Sequence, residues 1–381
     1  MTRGSYYMAV LSLVVICSVW SFGQSPNASQ AGPVRTVTIP VTVTNKSGEP
    51  VSGLTASSFS LGQGGRMQTL ESVAEVAPIT VGQRKTKVAF VVVDQLDRTQ
   101  EVLKECFQLL ADAVINDSPV SLSEIDDDGL HVVHEVSTPN SILASALLQL
   151  DAEHPFLAHR DALKAMEATA PDKSLVVEEA NRLRHFGHGT LGTPLHGSGL
   201  QHGIEGELVE LRGLQEMATA LEHAHGRKTV FWLSGRFQVD VNEAEDSVNV
   251  GSTGTTNIYY DWKSFTLQYQ KTIDMLNDAQ ISVFPVHSPL QPPKDNFDFE
   301  RTRNALRRIA QDTGGEWMEA SDTISNMVKR AEDKSTVYYL LTFHPDVPKN
   351  LQKWTTLKVN VSEQSLKVRA PSGLFVFPHT K

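Results

Sequence analysis

Six histidines, His185, His188, His196, His202, His223 and His225, fall within one stretch of this chain, and imidazole nitrogens at short spacing are the usual start of a zinc site. His185-x-x-His188 would put two of them on one helical face. Gly187 and Gly189 argue against a helix there, however, and no Glu is placed as in a zinc protease motif. A His-rich surface loop is the favoured reading. Asp126-Asp127-Asp128 invites calcium, yet the loop lacks the later oxygen ligands of such a site. The Asp128-Gly129 step is a hairpin turn signal instead, so a solvated turn is expected. The thiol of Cys106 shares a helical stripe with Val102, Leu103, Leu109 and Leu110, where a free cysteine serves as a small hydrophobe rather than a nucleophile. Tyr259, Tyr260, Trp262 and Phe265 follow a long polar segment. Tyrosine and tryptophan carry much of the energy of binding surfaces, so Tyr259 and Tyr260 are candidate partner contacts. Trp262 and Phe265 read equally well as core anchors of the helix that follows.

These groups must be positioned by elements, and the chain's pattern gives them. From about residue 35 to 77, short alternating runs such as Val37-x-Ile39-x-Val41-x-Val43 mark half-buried strands, punctuated by glycines. The pattern then changes. Val88-Ala89-Phe90-Val91-Val92-Val93 is continuously apolar and stops at Asp94; Thr229-Val230-Phe231-Trp232-Leu233 stops at Ser234; Ile281 to Val286 is a third such run. Strands buried on both faces belong at the centre of a parallel sheet. Helical spacing over Glu101 to Ile115, Ser141 to Leu150 with Ser141 as its cap, His159 to Leu183, Leu208 to His225, Trp262 to Ala279, Thr302 to Thr313 and Asp322 to Asp333 alternates with these strands. A hairpin of Val120 to Ile125 and Leu130 to Val136, and a last strand Val337 to Phe343, complete the series.

The order predicts an α/β fold: a doubly wound, Rossmann-like sheet with one antiparallel strand. It spans residues 84–345, between an N-terminal β segment (35–77) and a C-terminal one (350–378). The matching β character of the two ends suggests that they pair into one small sandwich-like region. Residues 1–23 follow the grammar of a cleaved secretory signal: Arg3, an apolar run from Met8 to Phe22, then Gly23-Gln24-Ser25. That run is shorter than the roughly 20 residues a bilayer core requires. Residues 24–34 read as a linker, and a secreted or periplasmic protein is expected. The formal net charge is −10 across 381 residues, with basic residues scattered, which leaves no footprint for nucleic acid or anionic lipid. One of two cysteines, Cys17, falls in the signal segment, so no internal disulfide is expected.

A buried strand ending in Asp94, a second ending in Leu233-Ser234-Gly235 after Gly226-Arg227-Lys228, and a third reading Ile-Ser-Val-Phe-Pro-Val together resemble a von Willebrand factor type A domain. Further segments are similar to the bacterial VWFA-related domain family described from Acidobacteria: Val41 to Phe59, Gly226 to Phe237, Leu276 to Val286, Ile309 to Trp317, Tyr338 to Pro345 and Trp354 to Phe375. The likeness runs over most of the chain. It implies adhesion or protein–protein binding, often through a divalent metal, Mg²⁺ suiting its hard oxygen ligands. That site takes Asp-x-Ser-x-Ser after the first strand, a Thr from a later loop, and an Asp after the fourth strand. Asp94 matches the leading Asp and Ser234 the later serine. Leu96 and Arg98 replace the two first-loop serines, and Gly235 replaces the distal Asp. Thr193, or Thr190, could be the loop threonine. A cation at Arg98 opposes a divalent ion and can instead pair with Asp94 or Asp97.

The resemblance therefore implies a degenerate metal-ion-dependent adhesion site with no metal or other cofactor expected. The partner would be an unidentified protein, docking around Asp94 to Arg98 (Asp97 included), Thr190 to Thr193 and Ser234 to Arg236. Two alternatives compete: a Mg²⁺-dependent adhesin of the same type with non-standard ligands, and a phosphatase of the haloacid dehalogenase type using Asp94 as nucleophile. The latter needs its second Asp two residues after the first, whereas Asp97 is three away, and no acidic pair follows Val286-His287. A non-catalytic binding module is the expectation.

Overall fold

The computed structural model describes residues 36–76, 88–94, 100–167, 172–188, 199–224, 226–234, 237, 262–286, 296–318, 323–334, 336–346 and 354–375. The chain opens with strands β1 (Val37–Thr44), β2 (Phe59–Gln63), β3 (Arg66–Gln68) and β4 (Leu70–Val76). An α/β series follows: β5 (Ala89–Asp94), α1 (Gln100–Ile115), β6 (Val120–Asp126), β7 (Gly129–His134), α2 (Asn140–Glu153), α3 (Arg160–Met166), α4 (Lys173–His188), α5 (Gly199–Leu221) and β8 (Lys228–Leu233). It continues with α6 (Trp262–Asp278), β9 (Ile281–Val286), α7 (Asn296–Asp312) and α8 (Ile324–Lys334), and the chain returns to strands with β10 (Tyr338–Phe343), β11 (Trp354–Val361), β12 (Lys367–Arg369) and β13 (Gly373–Phe375).

The α/β sheet has the order β7-β6-β5-β8-β9. β5 pairs in parallel with β6 and β8, β8 with β9, and β7 alone is antiparallel. Side chains alternate across it with period two. Val91, Val93, Phe231, Leu233, Phe284 and Val286 face α1, α2, α4 and α8, while Val92, Val230, Trp232, Ile281 and Val283 face α5, α6 and α7. Helices on both faces are why these strands read as unbroken apolar runs. At the β6–β7 hairpin the Asp126 carboxylate accepts the N–H groups of Asp128 (2.9 Å) and Gly129 (3.2 Å), so the acidic triplet builds the turn.

The two β segments pair as their character suggested. One sheet runs β12-β1-β10-β4 and the other β13-β11-β2-β3. Between them Ile39, Val41, Val43, Phe59, Leu61, Tyr339, Leu341, Phe343, Leu357 and Leu374 form one apolar core. One expectation fails here. Tyr338–Phe343 does not extend the parallel sheet; β10 pairs antiparallel with β1 and with β4. Its inward residues Tyr339, Leu341 and Phe343 are buried, while Leu340 and Thr342 are only partly covered, which is the alternation of a sandwich strand. Tyr338 stands opposite Val76, so the α/β series occupies the place of a hairpin loop between adjacent strands.

Smaller departures have local causes. α2 is capped at Pro139, whose carbonyl accepts from Ile142 (2.9 Å) and Leu143 (3.1 Å), and Ser141 lies within its first turn. α4 runs through Gly187 to His188 because Ala180, Leu183 and Phe186 are fixed in the core. The loop expected from Arg184 to Gly206 is correspondingly shorter, since α5 begins at Gly199. Among the described residues no helix is long and apolar enough to cross a membrane; the expected signal segment and linker lie outside the described residues.

Candidate functional site

β5 and β8 are neighbours with Val93 opposite Leu233, so the next residues, Asp94 and Ser234, leave adjacent strands at the same edge of the sheet. The chain passes from β5 to β6 on one side and later to β8 on the other. Strand order therefore reverses between β5 and β8, and the crevice at their carboxyl ends is the topological switch point where open α/β sheets hold ligands. Asp94 is 3% and Ser234 0% exposed.

Sequence reasoning missed two buried glutamates of α5, and one of them reaches the same edge. Glu210, on α5, accepts the Ser234 hydroxyl at 3.2 Å, and Glu207 lies one turn before it; both are buried. α5 can lie this close because Gly213 has no side chain: a Cβ there would come within 2.6 Å of Ile125 on β6. Further down, Glu216 accepts the Leu130 N–H at 2.8 Å and Arg212 donates to the Asp127 carbonyl at 2.6 Å, fastening α5 to the hairpin. A signal for the glutamates existed. Glu207 and Glu210 share one helical stripe with Leu211, Leu214 and Ala218, and acidic residues on an apolar stripe are rarely buried without a role. Ser234 is held from a second side, its N–H donating to the Val286 carbonyl at 3.3 Å. Three residues later Phe237 is fully buried, its ring 5.3 Å from that of Trp232. Ser234 and Phe237 are thus each anchored in the α/β unit.

Of the residues expected at the site, Asp94 and Ser234 come together. Asp97, Arg98, Thr190, Thr193, Arg236, Tyr259 and Tyr260 lie outside the described residues, as do Leu96 and Gly235. Phe265 is buried in the core and anchors α6, and Trp232 is a core residue as expected. Trp317 is only half-buried, with the Arg307 guanidinium 4.6 Å from its ring centre. His185 falls on the exposed face of α4, not in a loop, and His223 is exposed after α5; His196 and His225 lie outside the described residues. Cys106 is fully buried, and burial pushes its thiol well above the ordinary range, which keeps it unreactive.

The donor chemistry can be set against the divalent ion that the resemblance implies. Among the described residues no three carboxylate, imidazole or thiolate groups converge as ligands. The Ser234 hydroxyl, a neutral ligand in such sites, is turned to Glu210. Leu96 and Gly235 bring no side-chain oxygen and Arg98 brings a positive charge. These residues do not fit an adhesion-type cation, and no step is routed through one. No protein-family model matches the chain, and no curated protein matches it significantly.

A second buried polar cluster lies at the opposite, amino end of the strands. Arg227, just before β8, donates to Ser282 Oγ (2.7 Å), to the Gly314 carbonyl (2.7 Å) and to Thr42 Oγ1 on β1; its own N–H donates to the Tyr338 hydroxyl (2.7 Å). Desolvation, with Arg369 nearby, lowers its pKa to about 10. Asp312, fully buried at the end of α7, accepts from Tyr269 Oη (2.8 Å), Arg308 Nε (2.7 Å) and Ser372 Oγ. Burial raises its pKa in spite of these donors. Both residues tie the α/β unit to the sandwich.

Proposed function

We propose that this chain is an exported, non-catalytic binding module of the von Willebrand factor type A kind. Its protein partner docks on the sheet edge at the carboxyl ends of β5 and β8, without a bound metal. The observation that carries this reading is the convergence of Asp94 and Ser234 at the switch point of a sheet ordered β7-β6-β5-β8-β9 with an antiparallel edge strand. The motif resemblance over the same strands supports the type A assignment, and the apolar run Met8 to Phe22 supports export.

The chemistry of the edge fits recognition better than turnover. Ser234 is wholly buried, whereas a serine nucleophile needs access to substrate as well as a base such as the Glu210 carboxylate that accepts its hydroxyl. Arg98 and Arg236 follow the two strands closely in sequence. By sequence they add a cation after each of the two strands, so an acidic or mixed-charge protein surface is the partner we propose.

A pull-down from cell-envelope extract tests this. Wild-type protein should retain one discrete partner in the presence of a chelator, and the double variant Arg98→Glu/Arg236→Glu should lose it with an unchanged melting temperature. Retention by the variant would sink the assignment of the edge. Micromolar binding of Mg²⁺, Mn²⁺ or Ca²⁺ by calorimetry, abolished by Asp94→Asn, would replace it with a metal-dependent adhesin. Hydrolysis of a phosphate monoester that depends on Asp94 would overturn the non-catalytic reading.

A further inference from the structure

The helical layer contains a hollow that neither the fold nor the strand-end site uses. It lies where α1, α2 and α4 meet and encloses about 400 Å³, within the range of roughly 300–1,000 Å³ typical of small-molecule sites. Its apolar surface comes from Leu103 and Phe107 of α1, Leu150 of α2, Leu183 of α4, and Phe156 in the turn after α2.

The walls are fixed before any ligand arrives. The Asp151 carboxylate accepts the N–H groups of Phe156 (2.7 Å) and Leu157 (2.8 Å), and Gln108 Oε1 accepts that of Ala158 (2.8 Å). The turn carrying Phe156 is thereby clamped to both α2 and α1. The Phe156 ring rests 5.2 Å from that of Phe107, which in turn meets Phe186 edge-on at 6.1 Å. A floor of tilted, mutually packed rings and branched side chains suits a flat or extended apolar group.

The rim is polar and carries excess positive charge. Arg184 donates to Glu153 through Nη2 (2.7 Å) and Nε (3.2 Å) and to Asn181 through Nη1 (2.6 Å). Three of the five donors of a guanidinium are so engaged, which leaves donors for a second acceptor. Lys104 stands exposed on the same rim and makes no ion pair among the described residues. With Arg184 balanced by Glu153, the Lys104 ammonium is the uncompensated charge among the described rim residues. His154, also on the rim, adds a ring N–H donor.

We propose that this hollow binds a small amphipathic carboxylate, an aryl-alkanoic or medium-chain aliphatic acid. Its apolar end lies against Phe107, Phe156 and Leu183, and its carboxylate lies on Lys104 and the remaining donors of Arg184. An apolar floor gives affinity, and one charge pair at the mouth gives orientation. The hollow and the strand-end crevice share no residue, so either assignment can fail without the other.

Calorimetric titration of the purified protein with 4-phenylbutanoate and octanoate, and with the matching alcohols, tests the proposal. Methyl NMR of labelled leucines locates the site. The acids should bind in the submillimolar range and the alcohols about tenfold more weakly, with methyl shifts confined to Leu103, Leu150 and Leu183. Lys104→Gln, a surface change that leaves the core intact, should weaken the acids about fivefold and leave the alcohols unchanged. Leu183→Trp should fill the hollow and abolish binding of both. The proposal is overturned by no binding of either acid at millimolar concentration, by equal affinity for acid and alcohol, by shifts elsewhere, or by acid affinity unaltered in Lys104→Gln. The last criterion stands whether or not Leu183→Trp folds.

Discussion

The parallel sheet carries a buried polar cluster at each end, and the two are built differently. At the amino end, Arg227 and Asp312 each bond partners from several elements and reach across to the sandwich, Arg227 through Thr42 and Tyr338 and Asp312 through Ser372. At the carboxyl end, Ser234 meets Glu210 of α5 and the backbone of Val286, all within the α/β unit. The first cluster joins two parts of the molecule. The second sits at the switch point, where Ser234 is bonded within its own unit. Buried polar groups cost free energy unless satisfied. Where they bridge elements they specify how those elements pack; for those at the strand-end crevice we propose recognition as the role.

If that division is right, changes at the amino end should damage stability most. Gly315, beside the Gly314 carbonyl bound by Arg227, packs so tightly on β9 that a Cβ would lie 1.8 Å from the Val283 carbonyl oxygen. Gly315→Ala should therefore cost on the order of 4 kcal/mol in urea unfolding, and a cost near zero would show that the joint is loose. Arg227→Met strands acceptors on β1, β9 and the end of α7 and should cost about 3 kcal/mol, with the sandwich and the α/β unit melting in separate steps. Ser234→Ala removes one hydrogen bond within a single unit and should cost only about 1 kcal/mol, while partner retention falls. A loss as large as that of Arg227→Met would erase the contrast between the two ends.

The pH dependence offers a finer test of the amino-end cluster. Burial raises the Asp312 pKa above its ordinary value of 3.8, so the folded protein holds this proton more tightly than the unfolded chain. Below the ordinary value both states are protonated. As pH rises through the window between that value and the raised one, the unfolded state releases the proton first, and stability declines. Asp312→Asn should remove this decline. Urea midpoints of wild type and variant, compared upward from pH 4, should diverge with wild type falling relative to the variant; parallel curves would mean that Asp312 does not titrate as its burial requires.

How much of this could be read from the residues divides along the same line. Runs such as Val91 to Val93 and Val230 to Leu233 are buried on both faces in one setting only, so the core strands and their terminal Asp94 and Ser234 were legible. The antiparallel edge was legible too, because Asp128-Gly129 reports a turn locally. Tyr338–Phe343 was not. Tyr-Tyr-Leu-Leu-Thr-Phe is compatible with a parallel core or a sandwich core, and the choice is made by the distant Val76 that Tyr338 must face. Glu207 and Glu210 were overlooked for a related reason: helical spacing finds a buried stripe through its apolar members and passes over acidic residues on the same face. Gly187 misled in the opposite sense, since the packing of Leu183 and Phe186 outweighs the modest helix penalty of one glycine.

The claim that the carboxyl-end crevice is a docking surface is tested most directly by site-specific photocrosslinking. A photoreactive amino acid would replace Arg98, Arg236, Met67 on β3 or Leu175 on α4 in turn, in cells and after chelator treatment. Met67 and Leu175 are exposed controls far along the chain from the crevice residues. The account predicts one discrete adduct at positions 98 and 236, unchanged by the chelator, and none at 67 or 175. Adducts at the controls with none at 98 or 236 would contradict it.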